Sequence, residues 1–334
     1  MNADRSTSKP TAVIAIHGGA GTITRAAMDA DKEAQYIAAL EQALRAGQRL
    51  LADGASAVEA VTEAVRLLED CPLFNAGKGA VLTNAGTYEL DAAVMDGATR
   101  DAGAVACVKR LRNPVLAARA VMERSEHVLF AADGAEAFAQ AQGLPLVEAD
   151  YYYTPERHAQ WQRARAGSGM ALLDHDAAAL AARPDADEAG GEPLDPGTKF
   201  GTVGAVALDA QGRLAAATST GGITNKQLGR VGDTPVIGAG CYADELVAVS
   251  TTGTGEMFIR AVAAYDISAR MRYAGSSLEA ATHAVVMQSL PAIQGRGGLV
   301  AIDAAGNVAL PFNTEGMYRG HARVGEPVHV AIYR

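Results

Sequence analysis

Three times between residues 200 and 255 the chain sets small hydroxyl side chains among glycines. Thr202 stands in Phe200-Gly201-Thr202-Val203-Gly204, and Thr218-Ser219-Thr220 runs into Gly221-Gly222. The third cluster is Ser250-Thr251-Thr252-Gly253-Thr254-Gly255. Between the second and third lie Arg230 and Asp233, in Leu228-Gly229-Arg230-Val231-Gly232-Asp233. Ser and Thr beside Gly commonly do no more than make turns. Three clusters flanking a cation and an anion also suit a polar pocket. By residue type alone, Arg230 and Asp233 equally fit a surface ion pair, and Thr252 a capped turn.

More familiar chemistry fails on spacing. Gly19-Ala20-Gly21 follows an apolar run, but residue 24 is Thr, so the dinucleotide fingerprint is broken. Gly77-Lys78-Gly79 lacks the Ser or Thr that a phosphate-binding loop places after its lysine. Ser219 follows Ala217 where a nucleophile elbow needs Gly. The seven histidines include no His-Glu-x-x-His. Cys71, Cys107 and Cys241 are scattered, which indicates neither a disulfide framework nor a cysteine zinc site. Nucleotide binding, serine hydrolysis and zinc hydrolysis all lose their usual support.

The elements that must position these residues are partly readable. Ala12 to Ile16 reads as a strand that His17-Gly18-Gly19-Ala20-Gly21 breaks. A helix follows from about Asp31 to Ala52, with Ile37, Leu40, Leu44 and Leu51 on one face. A second opens on a capping box, Ser56 with Glu59, and stops before Pro72. Strands are expected in Ala80–Asn84, Thr87–Gly97 and Gly103–Val108, then helices over Pro114–Arg124 and near Asp133–Ala141. The stretch from about 167 to 199 has little apolar pattern, and Asp174–Lys199 carries a net charge of −5. It reads as a linker, a functional loop or an ordinary acidic surface loop.

Residues 202–218 then read as two apolar strands around a turn, and residues 298–309 repeat the form, with Asp209/Asp303 and Gly212/Gly306 in matching places. Shared hairpin geometry accounts for the repeat. Between the hairpins lie Pro235–Cys241 and Leu246–Thr251, read as strands, and helices near Gly255–Tyr273 and Ser277–Leu290. Runs of strands followed by runs of helices point to an α+β or layered α/β architecture.

The 334 residues allow about two domains or one large one. With 49% apolar and 20% charged residues global disorder is excluded, and with only 5% aromatics the core must pack small side chains closely. A net charge of −9 argues against nucleic acid and against anionic membrane surfaces. Neither an export-type leader nor a run of about 18 apolar residues is found, so a soluble, cytoplasmic protein is expected.

Several segments, taken in order, carry a resemblance. They are Ile16-His17-Gly18-Gly19-Ala20-Gly21, Phe74-Asn75-Ala76-Gly77-Lys78-Gly79, and the long stretch from Gly201-Thr202-Val203-Gly204 to Gly238-Ala239-Gly240-Cys241. Together they resemble the plant-type L-asparaginase/isoaspartyl peptidase (β-aspartyl peptidase) family of N-terminal-nucleophile (Ntn) hydrolases. The resemblance covers nearly the whole chain except the acidic stretch. It implies a layered α+β fold, the four-layer αββα sandwich of Ntn hydrolases, as a single domain over 1–334. It also implies self-cleavage between Gly201 and Thr202, giving an α piece 1–201, with the acidic linker at its end, and a β piece 202–334. A dimer of such αβ units is expected.

The chemistry of that family suits these residue types. A Thr hydroxyl can attack the preceding carbonyl, and Gly201 has no side chain to obstruct it. Cleavage leaves Thr202 with both a nucleophile and a free α-amine to act as its base, needing no organic cofactor. The resemblance further implies that Thr220 tunes the Thr202 hydroxyl, and that Arg230 and Asp233 grip the substrate α-carboxylate and α-ammonium. Thr252 and Gly253 would form the oxyanion hole, and Asn75 would lie near the scissile bond. It also implies a structural sodium ion on the backbone carbonyls of Leu68, Glu69, Cys71, Phe74, Ala76 and Lys78. The implied substrates are small: β-aspartyl (isoaspartyl) peptides and L-asparagine. Two alternatives are a glycosylasparaginase-like hydrolase and, from another class, a non-catalytic amino-acid sensor that stays uncut.

Overall fold

The computed structural model describes residues 11–166 and 201–334; the expected acidic linker lies outside the described residues. The first strand, β1, spans Val13–Gly21 and does not break at His17. Its glycines let it run on through a bulge, where the register to a C-terminal strand shifts between His17 and Ala20. Every residue of β1 is buried, which explains why apolar residues run continuously instead of alternating.

Two helices follow the expected local signals. α1 (Ala30–Ala52) starts where the Asp29 side chain accepts the Lys32 N–H. α2 (Ala57–Asp70) opens on the complete Ser56/Glu59 capping box. β2 (Leu90–Asp96) and β3 (Ala102–Val108) come next. The strand expected over Ala80–Asn84 is absent. Those residues follow a tight turn at Gly77–Gly79 and make one isolated pairing, Thr83 with Lys226. α3 (Pro114–Arg124) matches its expected bounds, and α4 (Ala132–Ala141) lies within a residue of them. β4 (Leu129–Ala131) and α5 (Pro155–Ala166) complete this half.

The two repeated hairpins are both present. β5 (Val203–Leu208) and β6 (Leu214–Thr220) meet at a turn where Asp209 Oδ1 accepts the N–H groups of Gln211 and Arg213. β9 (Gly297–Asp303) and β10 (Val308–Ala309) meet where Asp303 Oδ1 does the same for Ala305 and Asn307. Gly212 and Gly306 take φ of 78° and 81°. The repeat is therefore turn chemistry. Between the hairpins, Pro235–Cys241 is mostly turn, and β7 covers only Cys241–Ala243 before β8 (Val247–Gly253).

The single helix expected over Gly255–Tyr273 is two, α6 (Gly255–Ala261) and α7 (Ala263–Ala274), split where Val262 adopts φ 47°. The helix expected over Ser277–Leu290 is α8 (Leu278–Ala284), which widens to a π-turn over Val285–Ser289. β11 (Gly316–Arg323) and β12 (His329–Tyr333) end the chain.

The strands form an eight-stranded sheet, ordered β12-β11-β1-β5-β6-β2-β3-β4, and a four-stranded sheet, β10-β9-β8-β7. All neighbours are antiparallel except β3 with β4. One core holds Ile14 and Ile16 of β1 with Leu40, Leu44, Val61 and Val65 of α1 and α2. The other holds the alternate residues Val13 and Ala15 with Val249 of β8 and Leu299 of β9. This is a mixed helix-and-sheet fold, in which the strand ends carrying the hydroxyl clusters are buried. Among the described residues no helix is long and apolar enough to cross a membrane.

Candidate active site

Thr202 immediately precedes β5 and Thr220 ends β6, and the hairpin register pairs Val203 with Ser219. The two threonines are therefore opposite one another, their Oγ1 atoms 3.0 Å apart. Thr220 Oγ1 also accepts the Gly222 N–H at 2.9 Å, which leaves its own proton free to point at Thr202. On the other side of the Gly201–Thr202 peptide, the Asn75 N–H donates to the Gly201 carbonyl at 3.0 Å. The Asn75 carbonyl accepts from Gly221 at 2.8 Å, and its Nδ2 donates to the Gly222 carbonyl at 2.6 Å. Asn75 thus ties the carbonyl before Thr202 to the turn after Thr220. A Cβ at position 201 would stand 2.2 Å from the Asn75 nitrogen and Cβ, so only glycine admits this approach.

His17 fixes the other end of Thr202. Its Nδ1 lies 3.0 Å from the Thr202 carbonyl, which can only accept, so Nδ1 carries the proton. Nε2 then accepts from Ser250 Oγ at 2.9 Å, and Ser250 is in turn 2.7 Å from Thr218 Oγ1. Burial, opposed by the Thr202 hydrogen bond, lowers the His17 pKa to about 3 and keeps the ring neutral. A Cβ at Gly204 would stand 1.9 Å from Ser250 Oγ and 2.4 Å from His17 Nε2, so glycine there makes room for the relay. Neither His17 nor Ser250 had a role assigned by residue type. Their partners lie 185 and 233 positions away, beyond any local pattern.

The charged pair converges beside these hydroxyls. Asp233 is buried and accepts from Thr251 Oγ1 at 2.7 Å. Burial pushes its pKa up to about 6, against the Thr251 bond and the Arg230 charge. Arg230 makes a two-pronged contact to Glu256, with Nε and Nη2 at 2.9 and 3.0 Å from its carboxylate oxygens. A Cβ at Gly255 would lie 2.9 Å from Asp233 Oδ1 and 3.0 Å from Arg230 Nη2, so both charges face one glycine at the start of α6. Along β8 alternate side chains share a face, which puts Thr252 on the side of Ser250 and Thr251 on the side of Asp233. The Thr252 hydroxyl is fully buried and has no hydrogen-bond partner among the described residues. Such an orphaned donor is costly unless a ligand answers it.

The loop Leu68–Lys78, which carries Asn75, is wound tightly around backbone oxygens. A Cβ at Gly77 would stand 2.3 Å from the Glu69 carbonyl, and one at Gly79 would stand 2.1 Å from that of Phe74. The Leu68, Cys71 and Ala76 carbonyls accept long bonds, of 3.3–3.5 Å, from Cys71, Phe74 and Gly79. A cradle of under-used carbonyls kept open by glycines fits a hard cation. The Glu69 side chain is engaged elsewhere: its Oε1 accepts from Ser219 at 2.6 Å and from Val115 N at 2.9 Å.

A threonine hydroxyl set against a second threonine, beside a cation and an anion, is the equipment of a hydroxyl-nucleophile hydrolase. The family model described as asparaginase matches residues 10–332. The chain is 58% identical over 324 residues to the isoaspartyl peptidase of Salmonella typhimurium, covering 97% of this chain and 99% of that one. It is equally similar, 58% over 324 residues, to the isoaspartyl peptidase of Escherichia coli, covering 97% and 96%. A plant-type L-asparaginase of Pyrococcus horikoshii is 38% identical over 315 residues, covering 93% and 96%. The chain belongs to the asparaginase family.

Proposed function

We propose that this chain is a self-processing amidohydrolase that cleaves β-aspartyl (isoaspartyl) peptides and L-asparagine, releasing L-aspartate. The observation that carries the reading is the 3.0 Å contact of Thr202 and Thr220, formed beside a Gly201 carbonyl gripped by Asn75. In the first step Thr202 Oγ1 attacks the Gly201 carbonyl carbon while the Asn75 N–H stabilises the negative oxygen. The proton lost by Oγ1 passes to the Thr202 nitrogen as the C–N bond breaks, so that nitrogen leaves as an amine, and water hydrolyses the resulting ester. The freed amine then serves as general base for the same hydroxyl.

In turnover, Arg230 would take the substrate α-carboxylate and Asp233 the α-ammonium, placing the side-chain amide over Thr202. Attack gives a tetrahedral oxyanion facing the Thr252 hydroxyl and the Gly253 N–H, and the orphaned Thr252 donor supports that role. The leaving amine departs with the proton taken from Thr202, and water releases aspartate from the ester. The carbonyls of Leu68, Glu69, Cys71, Phe74, Ala76 and Lys78 would hold a sodium ion. That ion, when bound, would neutralise their converging dipoles and stiffen the loop bearing Asn75. The two sheets with α1–α3 packed outside the larger and α7–α8 outside the smaller support the four-layer αββα reading. We also infer one domain made of two pieces, paired as a dimer of αβ units.

Mass spectrometry of the purified protein should show chains of 201 and 133 residues. Thr202→Ala should remain whole and inactive; turnover by that variant, or by an intact wild-type chain, would sink the mechanism. Faster release from an N-glycosylated asparagine than from a β-aspartyl dipeptide would move the substrate assignment to the glycosylasparaginase type.

A further inference from the structure

Lysine is among the residues least often fully buried, yet Lys226 is 0% exposed. It lies in the segment from β6 to β7 that also carries Arg230 and Asp233. Its carbonyl accepts the Asn84 N–H at 2.8 Å, and its ammonium donates to the Glu89 carbonyl just before β2. The head of the side chain lies against the turn that follows Thr220. A Cβ at Gly222 would stand 2.8 Å from Lys226 Nζ and 3.4 Å from Arg230 Nη1. Two cations therefore flank one glycine, and that glycine is the one whose N–H holds Thr220 Oγ1.

Anions balance this arrangement from β2. Asp91 is opposite Thr220 in register and fully buried. Its Oδ1 accepts the Cys107 N–H at 2.9 Å, while Oδ2 has no hydrogen-bond partner among the described residues. The Glu89 carboxylate accepts the Gly229 N–H at 2.8 Å, one residue before Arg230. Burial pushes Asp91 up and Lys226 down, and the charge of each opposes the shift of the other. The reaction steps above use neither residue. A methionine would fill the same space without desolvating a charge, whereas burying an ammonium is costly. Such a charge has a use when it acts on another that comes and goes. One such charge is the substrate α-carboxylate at Arg230, whose guanidinium shares the Gly222 contact with Lys226, and in a dry interior a neighbouring cation strengthens that attraction.

We propose that Lys226, balanced by Asp91, is a positioning residue of the carboxylate pocket, holding a second positive charge beside Arg230 and biasing its guanidinium toward the substrate side. The proposal rests on the substrate reading given above.

The test compares self-cleaved wild type with Lys226→Met and with Lys226→Met/Asp91→Asn, which removes both buried charges together. Each is assayed on a β-aspartyl dipeptide and on the same dipeptide with the aspartyl α-carboxyl converted to a carboxamide. Lys226→Met should raise KM for the free carboxylate about tenfold, leave kcat within about threefold, and barely move KM for the carboxamide. The double variant, which also removes a negative charge that acts on Arg230, should lose a smaller part of the carboxylate preference. An unchanged preference in a folded variant overturns the assignment. So does an equal loss on both substrates, or unfolding of both variants, since the lysine would then be structural. Failure of the wild type to hydrolyse the dipeptide overturns the substrate reading instead, and the role of Lys226 with it.

Discussion

At the scale of single residues, the site is governed by which groups are allowed to hold a proton. His17 is kept neutral by burial and therefore serves as a fixed donor to the Thr202 carbonyl, while in the proposed mechanism the base would be the amine that cleavage would create. Asp233 is different, because burial raises it to about 6, within reach of ordinary buffers. The sign follows directly: the aspartate must be charged to attract an α-ammonium, so protonation below its pKa removes the attraction. The Thr202 amine, with an unperturbed pKa of about 7.7–8.0, must likewise be unprotonated to act as base. The logarithm of kcat/KM should therefore fall with slope one below about pH 8. It should steepen to slope two below about pH 6, where Asp233 also protonates. A pH profile on a β-aspartyl dipeptide checks this, and a single slope continuing to pH 5 would show that Asp233 is not the ammonium partner.

At the scale of elements, what was legible in the sequence is what a few neighbouring residues decide. The Ser56/Glu59 box and Pro114 set helix starts within one turn, and the Asp209–Gly212 turn sets the register that brings Thr202 to Thr220. Arg230 and Asp233 are three residues apart and arrive together. Asn75 beside Gly201 was legible only through the family resemblance, and His17 on Ser250 was not legible as a contact, because it depends on β1 lying between β11 and β5. The break at Val262 was hidden by apolar periodicity that continues through it. The glycines after His17 weaken a strand by residue type, yet here they mark a bulge through which β1 continues. Here Gly18 brings the backbone against the aromatic ring beside Asn75: a Cβ would stand 2.4 Å from Phe74 Cε1. Gly18→Ala should therefore displace Phe74 and the loop behind it, destabilising the fold by about 1–3 kcal/mol. Self-cleavage should slow by more than the lost stability explains, because Asn75 moves with Phe74. Melting curves and a time course of chain cleavage, measured on one preparation, separate the two effects.

At the scale of the whole molecule, the cut before Thr202 would divide the chain but not the structure. The larger sheet runs β12-β11-β1-β5-β6-β2-β3-β4. Strands β1 to β4 would belong to the α piece and β5, β6, β11 and β12 to the β piece. The pieces therefore alternate across the sheet and meet at three seams, β11 with β1, β1 with β5 and β6 with β2. Both cores span the division as well, with α1 and α2 packing against β5 and β11, and β1 against β8 and β9. Separating the pieces would strip β1 of both neighbours and expose backbone and apolar surface along every seam. The cut protein should thus keep its pieces together through size-exclusion chromatography. It should also unfold in one transition that coincides by tryptophan fluorescence, reporting Trp161 of the α piece, and by far-ultraviolet circular dichroism. Expressed alone, neither piece should give a cooperative transition, and activity should return only when both are refolded together. Two resolved transitions, or a β piece that folds and hydrolyses substrate by itself, would mean that the seams are not what holds the site in place.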